Sequence, residues 1–279
     1  LSSRSEFYTA YTPYQPEVSQ GTLQYLYEFQ SMICELSGMD VSNASLYDGA
    51  SAIAEACMIA TSFTGNNCIL YSSTINERHI KVLKNLLCGK EFIFKKINSK
   101  NGTTDFKDIY NLKDVACIIC QSPNKYGLIE DMQKAGNITK NNKALFISAG
   151  DPFSLSILST PGSYGADIYV GEGQVFGNHM NYGGPLLGII AIKEKYKRKL
   201  PGRVVGKTLD REGSVGYVLT LQTREQHIRK EKATSNICTN QGLLALRACI
   251  YLALLGKNGL PYIANISFQK AQYAAKEIC

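Results

Sequence analysis

From residue 43 onward, short apolar runs alternate with longer segments in which apolar residues recur at helical spacing. The runs with the composition of buried strands are Ala44–Tyr47, Cys68–Ser72, Phe92–Ile97, Val115–Gln121, Ala144–Ser148, Asp167–Gly171 and Leu186–Ile192. The segments with helical periodicity are Ala50–Phe63, Glu77–Leu87 and Asp131–Lys140. Strands that are apolar nearly throughout are typical of a sheet covered on both faces. The pattern predicts an α/β fold with a mostly parallel sheet.

The amino-terminal end of the chain has a different character. Residues 1–17 are rich in aromatic residues and proline, and Pro13 and Pro16 favour an extended arm over a regular helix. Ser19 can cap the amphipathic helix that follows, which we expect to end at Gly38.

The pattern changes again after residue 201. Val215–Leu221 predicts one more strand or a hairpin, and Cys238–Leu255 predicts a helix that is apolar nearly all round and therefore buried. We expect three parts: an arm (1–17), a large domain (18–256) and the start of a smaller C-terminal domain (257–279).

Charge and cysteine content argue for an ordinary cytoplasmic protein. The formal net charge is +7, and the lysines are spread along the chain, which favours a solvated surface over a nucleic-acid site. The nine cysteines are odd in number and several lie in apolar runs, as expected of buried thiols in a reducing compartment. The most apolar stretch, Gly242–Leu255, is too short to cross a bilayer and contains Arg247. We therefore expect no membrane span.

No metal site is expected. Cys117 and Cys120 lie within one predicted strand, where positions three apart face opposite sides. None of the three histidines has ligand spacing to another His, Cys or carboxylate. His79 lies in a polar helical segment and is expected at the surface.

Two segments could bind anions. Gly49, Ala50 and Ser51 begin a predicted helix, where free backbone amides can bind a phosphate. The alternative is an ordinary strand–helix turn in which Asp48 caps the helix. Residues 220–239 are rich in cations and hydroxyls. They predict either a solvated basic surface or a loop that binds an anion or a partner subunit.

Taken together, four long runs resemble the glycine cleavage system P-protein family, in the amino-terminal subunit of its split form: FYTAYTPYQPEVSQGTLQYLYEFQSMICELSGMD, NASLYDGASAIAEA, GADIYVGEGQVFGNHMNYGGPLLGIIA and LQTREQHIRKEKATSNICTNQGLLAL. The resemblance spans nearly the whole chain. It implies the fold of type I pyridoxal-phosphate (PLP) transferases. It also implies a partner chain, subunit 2, that carries the cofactor lysine, in an α2β2 assembly. Together the two would decarboxylate glycine and pass the aminomethyl group to the lipoyl arm of H-protein.

The residues themselves agree with this division of labour. Enzymes of that fold bind PLP as an imine to a lysine in the loop after the predicted strand at 167–171, yet no lysine occurs from Ala144 to Ile192 and the loop has Gln174 and Val175. The carboxylate that pairs with the pyridine nitrogen is expected on the strand before, where Ser148 falls, with Asp151 three residues on. A degenerate cofactor site is the simplest account. A self-sufficient PLP transferase would need Lys125 or Lys193 instead.

A subunit without cofactor could still complete its partner's site. We expect Tyr11, Tyr14 and Glu17 of the arm to contribute catalytic contacts there, or the arm to serve only as packing at the interface. The interface residues expected near the partner's cofactor are Thr12, Gln15, Gly183, Gly184, Arg224 and Lys232. The alternative from another class is a structural scaffold that docks H-protein without any chemical role.

Overall fold

The computed structural model describes residues 1–11, 13–107, 109, 112–222, 226–233, 235, 237 and 239–278, with only the backbone at residue 227. Among them the α-helices are α1 (Ser5–Tyr8), α2 (Gln20–Ser37), α3 (Gly49–Thr64), α4 (Glu77–Leu86), α5 (Met132–Lys140), α6 (Gln226–Arg229) and α7 (Gly242–Ile278). The strands are β1 (Val41–Ser42), β2 (Cys68–Ser72), β3 (Ile93–Ile97), β4 (Ser99–Lys100), β5 (Thr103–Thr104), β6 (Val115–Gln121), β7 (Leu145–Ala149), β8 (Ile168–Glu172), β9 (Gly188–Ile192), β10 (Val204–Leu209) and β11 (Val215–Thr220).

A seven-stranded sheet forms the centre of the molecule, in the order β1-β9-β8-β7-β6-β2-β3. Within this sheet β3, β2, β6, β7 and β8 pair in parallel, whereas β9 is antiparallel to β8 and β1 is antiparallel to β9. The mostly parallel α/β fold predicted from the sequence is confirmed. The predicted strand or hairpin at Val215–Leu221 is a hairpin, with β11 paired to β10.

One predicted strand is wrong. The first edge strand is Val41–Ser42, and within Ala44–Tyr47 only Leu46 forms a bridge, to Gly188. The chain turns here because Ser45 adopts a φ of 102° and the Asn43 side chain donates to the Pro201 carbonyl. An apolar composition alone does not reveal such a turn.

Both faces of the sheet are covered. On one face α3 and α4 pack over strand residues such as Ile147 and Val170. On the other face Phe146 packs with α5, and Tyr169 packs with α2 and α7. Strand alternation therefore places neighbouring residues in separate cores. In β6 it separates Cys117 from Cys120, as expected.

The arm is not wholly extended. It contains the single-turn helix α1 and a 3-10 turn at Pro16–Val18, which corrects the prediction. The prolines shape only the second half of the arm, and Pro16 begins the 3-10 turn, a position that proline tolerates. Ser19 precedes α2 but its side chain makes no capping bond, while Gly38 ends that helix with a φ of 66°.

The helix α7 is longer than the predicted Cys238–Leu255. It runs for 37 residues, with non-helical backbone angles at Gly256 (φ 58°, ψ −168°). By length and composition the whole of Gly242–Ile278 reaches the values of a membrane-crossing helix, but the break at Gly256 divides it into two helices, and the first of them ends at Leu255 as expected. The part before Gly256 packs against α2 in the core, and residues after 264 are mostly exposed. The division at residue 256 into two domains stays a prediction.

Candidate functional site

A cavity of about 200 Å³ lies where the parallel strands end. Its lining residues come from five elements and the loops that follow them: Gly49, Ile53, His79, Gln121, Ala149, Gly150, Asp151, Val170, Gly171, Glu172 and Val175. The carboxyl ends of the strands are the ligand side of an open α/β sheet. The cavity is therefore the candidate site, and it brings together the predicted phosphate cup and the predicted lysine position.

Of Gln174 and Val175, the two residues at the predicted lysine position, Val175 is the one that lines the cavity. It lies in a 3-10 turn after β8, its side chain is 42% exposed, and it lines the cavity. Gln174 is not among the lining residues; its side-chain amide donates to the carbonyls of His179 (3.2 Å) and Pro185 (3.1 Å). None of the described residues that line the cavity carries a primary amine.

The two alternative lysines lie elsewhere. Lys125 lies in the loop after β6, where its Nζ is 2.7 Å from Oε1 of Glu77 in α4, and it does not line the cavity. Lys193 follows the end of β9 and binds the Asp167 carboxylate (2.9 Å) just before β8 begins, at the amino-terminal end of that strand. Neither lysine is placed to form an imine within this cavity.

Ser148 faces away from the cavity. Its hydroxyl pairs with Tyr164 Oη at 2.8 Å in the core on the opposite face of the sheet. The β7 residue that lines the cavity is Ala149, so the predicted position is off by one residue in a strand, where one residue reverses the face. Asp151 does line the cavity, and partial removal from water raises the pKa of its carboxyl, opposed by a hydrogen bond from the Phe153 amide.

The predicted phosphate cup is closed by carboxylates. Asp48 caps α3 through a capping box, accepting from the Ser51 amide (2.8 Å) while its own amide donates to Ser51 Oγ (3.2 Å). The Gly49 amide donates to Glu172 Oε2 at 2.9 Å, and Ala50 is buried beside it. The sequence showed the cap but not Glu172, whose role depends on a contact 123 residues away.

His79 is a lining residue rather than a surface residue, which corrects the expectation. Burial lowers the pKa of its imidazole, and the carboxylates of Asp48 and Glu172 oppose that shift. The position of His79 is set by Asn76, the N-cap of α4. The backbone amide of Asn76 donates to Gln121 Oε1 at 3.0 Å. The polar helix pattern identified the helix but not the end that enters the cavity.

One of the residues that hold the arm on its own chain was not singled out by the sequence. Arg203 is only 2% exposed, and its guanidinium donates to Tyr14 Oη (3.1 Å), Asn240 Oδ1 (3.3 Å) and the Thr239 hydroxyl. The same guanidinium lies 5.3 Å from the centre of the Tyr14 ring. Within the described part of the chain Arg203 has no carboxylate partner. The hydrogen bond and the ring contact between Arg203 and Tyr14 fix the base of the arm.

The other predicted interface residues are at the surface where the structure describes them. In the arm, Tyr11 is 88% exposed, Gln15 and Glu17 are exposed, and Thr12 lies outside the described residues. In the loop before β9, Gly183 is exposed with a φ of 117° and Gly184 is partly exposed, next to a Tyr182 side chain that is fully solvated. Lys232 is exposed and Arg224 lies outside the described residues. Their roles toward a partner stay predictions.

The model of the family described as "Glycine cleavage system P-protein" matches residues 1–279. The chain belongs to the glycine cleavage system P-protein family. It is 54% identical over its whole length to the "Probable glycine dehydrogenase (decarboxylating) subunit 1" of Prosthecochloris aestuarii, and 52% identical to the protein of that name from Moorella thermoacetica. In both cases it covers 63% of the relative, so the chain spans less than two thirds of these proteins. The resemblance drawn from the sequence is confirmed.

Solved structures confirm the fold of this P-protein family member. A crystal structure of glycine decarboxylase (P-protein) in inhibitor-bound form matches with a TM-score of 0.91 and 44% identity, covering 94% of this chain and 59% of that one. Mouse CSAD matches with a TM-score of 0.71 at 12% identity, over 96% of this chain and 59% of that one, and so supports the fold alone. A Campylobacter jejuni O-acetylhomoserine (thiol)-lyase structure that contains N′-pyridoxyl-lysine-5′-monophosphate matches with a TM-score of 0.52 and 16% identity, covering 83% of this chain and 57% of that one.

The cavity of this chain does not fit pyridoxal 5′-phosphate. The aldehyde would find no amine, since Val175 stands in the loop. The Gly49 amide, which a phosphate at this helix terminus would need, already donates to the Glu172 carboxylate. The residue of β7 that lines the cavity is Ala149, where a carboxylate is expected to pair with the pyridine nitrogen. The ionisable groups among the described lining residues are the carboxylates of Asp151 and Glu172 and the imidazole of His79.

Proposed function

We propose that this chain is subunit 1 of a cytoplasmic glycine decarboxylase. With a second subunit it forms an α2β2 assembly that decarboxylates glycine and transfers the aminomethyl group to the lipoyl group of H-protein. Pyridoxal 5′-phosphate is held covalently by the second subunit. Full-length identity to relatives named as subunit 1 supports the assignment. The observation that carries it is that, in a member of the P-protein family, none of the lining residues the structure describes can form an imine.

In this proposal the chain contributes surfaces rather than a reacting group. The arm presents Tyr11 and Glu17 to solvent while Arg203 fixes its base through Tyr14, so that little conformational entropy would be lost when the arm contacts a partner. The loop with Gly183 and Gly184 is a second exposed element suited to cross the interface.

Reconstitution tests the assignment. Each subunit alone and an equimolar mixture are assayed for glycine–bicarbonate exchange in the presence of lipoylated H-protein and PLP. We expect exchange only in the mixture, which elutes as a heterotetramer in size-exclusion chromatography. Exchange by this chain alone would contradict the proposal, and so would full activity of the second subunit without it.

Arm variants separate a chemical contribution from a scaffold. In the reconstituted assembly, Tyr11→Phe and Glu17→Gln should lower kcat for exchange by at least about tenfold, the loss expected when one contact to the reacting groups is removed. Tyr273→Phe and Glu212→Gln are matched controls at exposed positions elsewhere. Normal exchange in both arm variants, with assembly intact, would favour the scaffold role.

The basic segment can be tested in the same assembly. Reversing the charge of Lys232, with Lys232→Glu, should weaken co-purification of the two subunits or the retention of PLP after dialysis. Lys257→Glu, at another exposed position, is the control. Unchanged assembly and unchanged cofactor content would remove Lys232 from the proposed interface.

A further inference from the structure

We propose that Glu172 is an internal substitute for phosphate, which makes the cavity of this chain reject phosphorylated ligands. Its carboxylate collects three backbone amides from separate segments. Oε2 accepts from Gly49 at 2.9 Å, and Oε1 accepts from Gln174 at 3.0 Å and Leu187 at 2.7 Å. All three distances are those of well-formed, charge-assisted hydrogen bonds.

The arrangement reproduces what a phosphate uses at a helix amino terminus. Gly49 is the first residue of α3, where backbone amides have no partner inside the helix and the helix dipole favours negative charge. A second amide of the same turn, that of Ser51, is taken by Asp48. The anion at this terminus is therefore supplied by the chain itself.

The contact leaves no room for both anions. A Cβ placed on Gly49 would lie 3.3 Å from both the Cβ and the amide nitrogen of Glu172, so the helix terminus and the end of β8 are in direct packing contact. A phosphate entering the cavity would have to displace the carboxylate and lose three bonds, or sit beside it and meet a like charge at short range. Either alternative makes phosphate binding unfavourable.

The consequence for an assembly rests on the proposed function. Two chains of one fold share a supply of PLP, and the cofactor is useful only where a lysine can bind it. A cavity with its own carboxylate in the phosphate position does not compete for the cofactor, so a single substitution at position 175 would not restore a working site.

Phosphate binding to the full-length protein that contains this chain tests the inference without any assay of decarboxylation. Inorganic phosphate is titrated into the wild-type chain, Glu172→Ala and Glu172→Gln, with Glu212→Ala as the control at an exposed glutamate. Isothermal titration gives the affinity, and the ¹⁵N–¹H signals of Gly49 and Gln174 locate the site. Circular dichroism shows whether each variant is folded.

We expect no saturable binding by wild type or Glu212→Ala. Glu172→Ala should bind phosphate at least about tenfold more tightly, because one like charge is removed from contact distance, with shifts at the two amides. Glu172→Gln should show a smaller gain, since its amide keeps one acceptor. Saturable binding by wild type at these amides would overturn the inference. So would the absence of a gain in folded Glu172→Ala or, if that variant fails to fold, in Glu172→Gln. None of these results would bear on the decarboxylase assignment.

Discussion

Glu130 is a buried carboxylate, and replacing one of its oxygen atoms should lower the free energy of unfolding. It is 5% exposed and forms no ion pair within the described residues. Its Oε1 accepts from Thr74 Oγ1 and Asn124 Nδ2, both at 2.7 Å, and its Oε2 accepts from the Thr104 amide at 2.8 Å. These bonds fix the loop after β6, beside the Gln121 that lines the cavity.

The substitution Glu130→Gln replaces one acceptor oxygen with a donor NH₂ group. Facing Thr104, that group meets a backbone amide. Facing Asn124, it meets an NH₂ that cannot turn, because Asn124 Oδ1 already accepts from the amides of Tyr126 (2.9 Å) and Leu128 (3.2 Å). One buried donor is left unpaired in either orientation, at a cost of about 1–3 kcal/mol. Glu130→Ala leaves all three donors unpaired and should cost about 3–5 kcal/mol.

Urea unfolding at pH 7, followed by circular dichroism, measures both losses. Glu91→Gln is the matched control, since Glu91 is exposed, and its free energy of unfolding should change by less than about 0.5 kcal/mol. A Glu130→Gln protein as stable as wild type would refute the account of this network. It would mean that the described donors find other acceptors.

Three further predictions concern stability and the arm. Burial raises the pKa of Glu55 to about 7 from 4.5, so between these values the folded state holds a proton that the unfolded chain releases. The free energy of unfolding should therefore fall by about 1–3 kcal/mol as the pH rises through that window. Urea titrations at pH 5 and pH 8 measure this fall, and Glu55→Gln should abolish it. In Gly162→Ala the new Cβ would overlap the backbone carbonyl oxygen of Gly38, so the melting temperature should drop sharply. Gly21→Ala, whose Cβ would have no atom within 4 Å, should not lower the melting temperature. Arg203→Met removes the hydrogen bond and the ring contact to Tyr14, which together contribute about 1–2 kcal/mol. Chymotrypsin should therefore cleave after Tyr14 about tenfold faster in this variant. An unchanged rate of cleavage would contradict the claim that Arg203 fixes the arm.

The sheet could be predicted because its signals are local. The runs that became β2, β6, β7 and β8 are apolar nearly throughout, and their flanking turns mark the ends within two residues. Gly38 marks the end of α2 for the same kind of reason, since the left-handed conformation favours glycine. Such features need only the residues beside them.

The site was only partly predictable because its contacts are distant in sequence. Val175 and Gly49 could be assigned from their segments, but the bond between Glu172 and Gly49, and that between Arg203 and Tyr14, join residues more than 120 positions apart. Ser148 shows the other limit: an error of one residue in a strand moves a side chain to the opposite face. Nothing in the local pattern distinguishes Ser148 from Ala149.

The central claim is that the reactive cofactor belongs to a companion chain. The most direct measurement is borohydride reduction of the assembled enzyme with PLP, followed by mass spectrometry of peptides from both subunits. We predict that every pyridoxyl-lysine maps to the second subunit and that all lysines of this chain stay unmodified. Stoichiometric pyridoxyl-lysine on any peptide of this chain, at Lys125 or Lys193 above all, would contradict the claim.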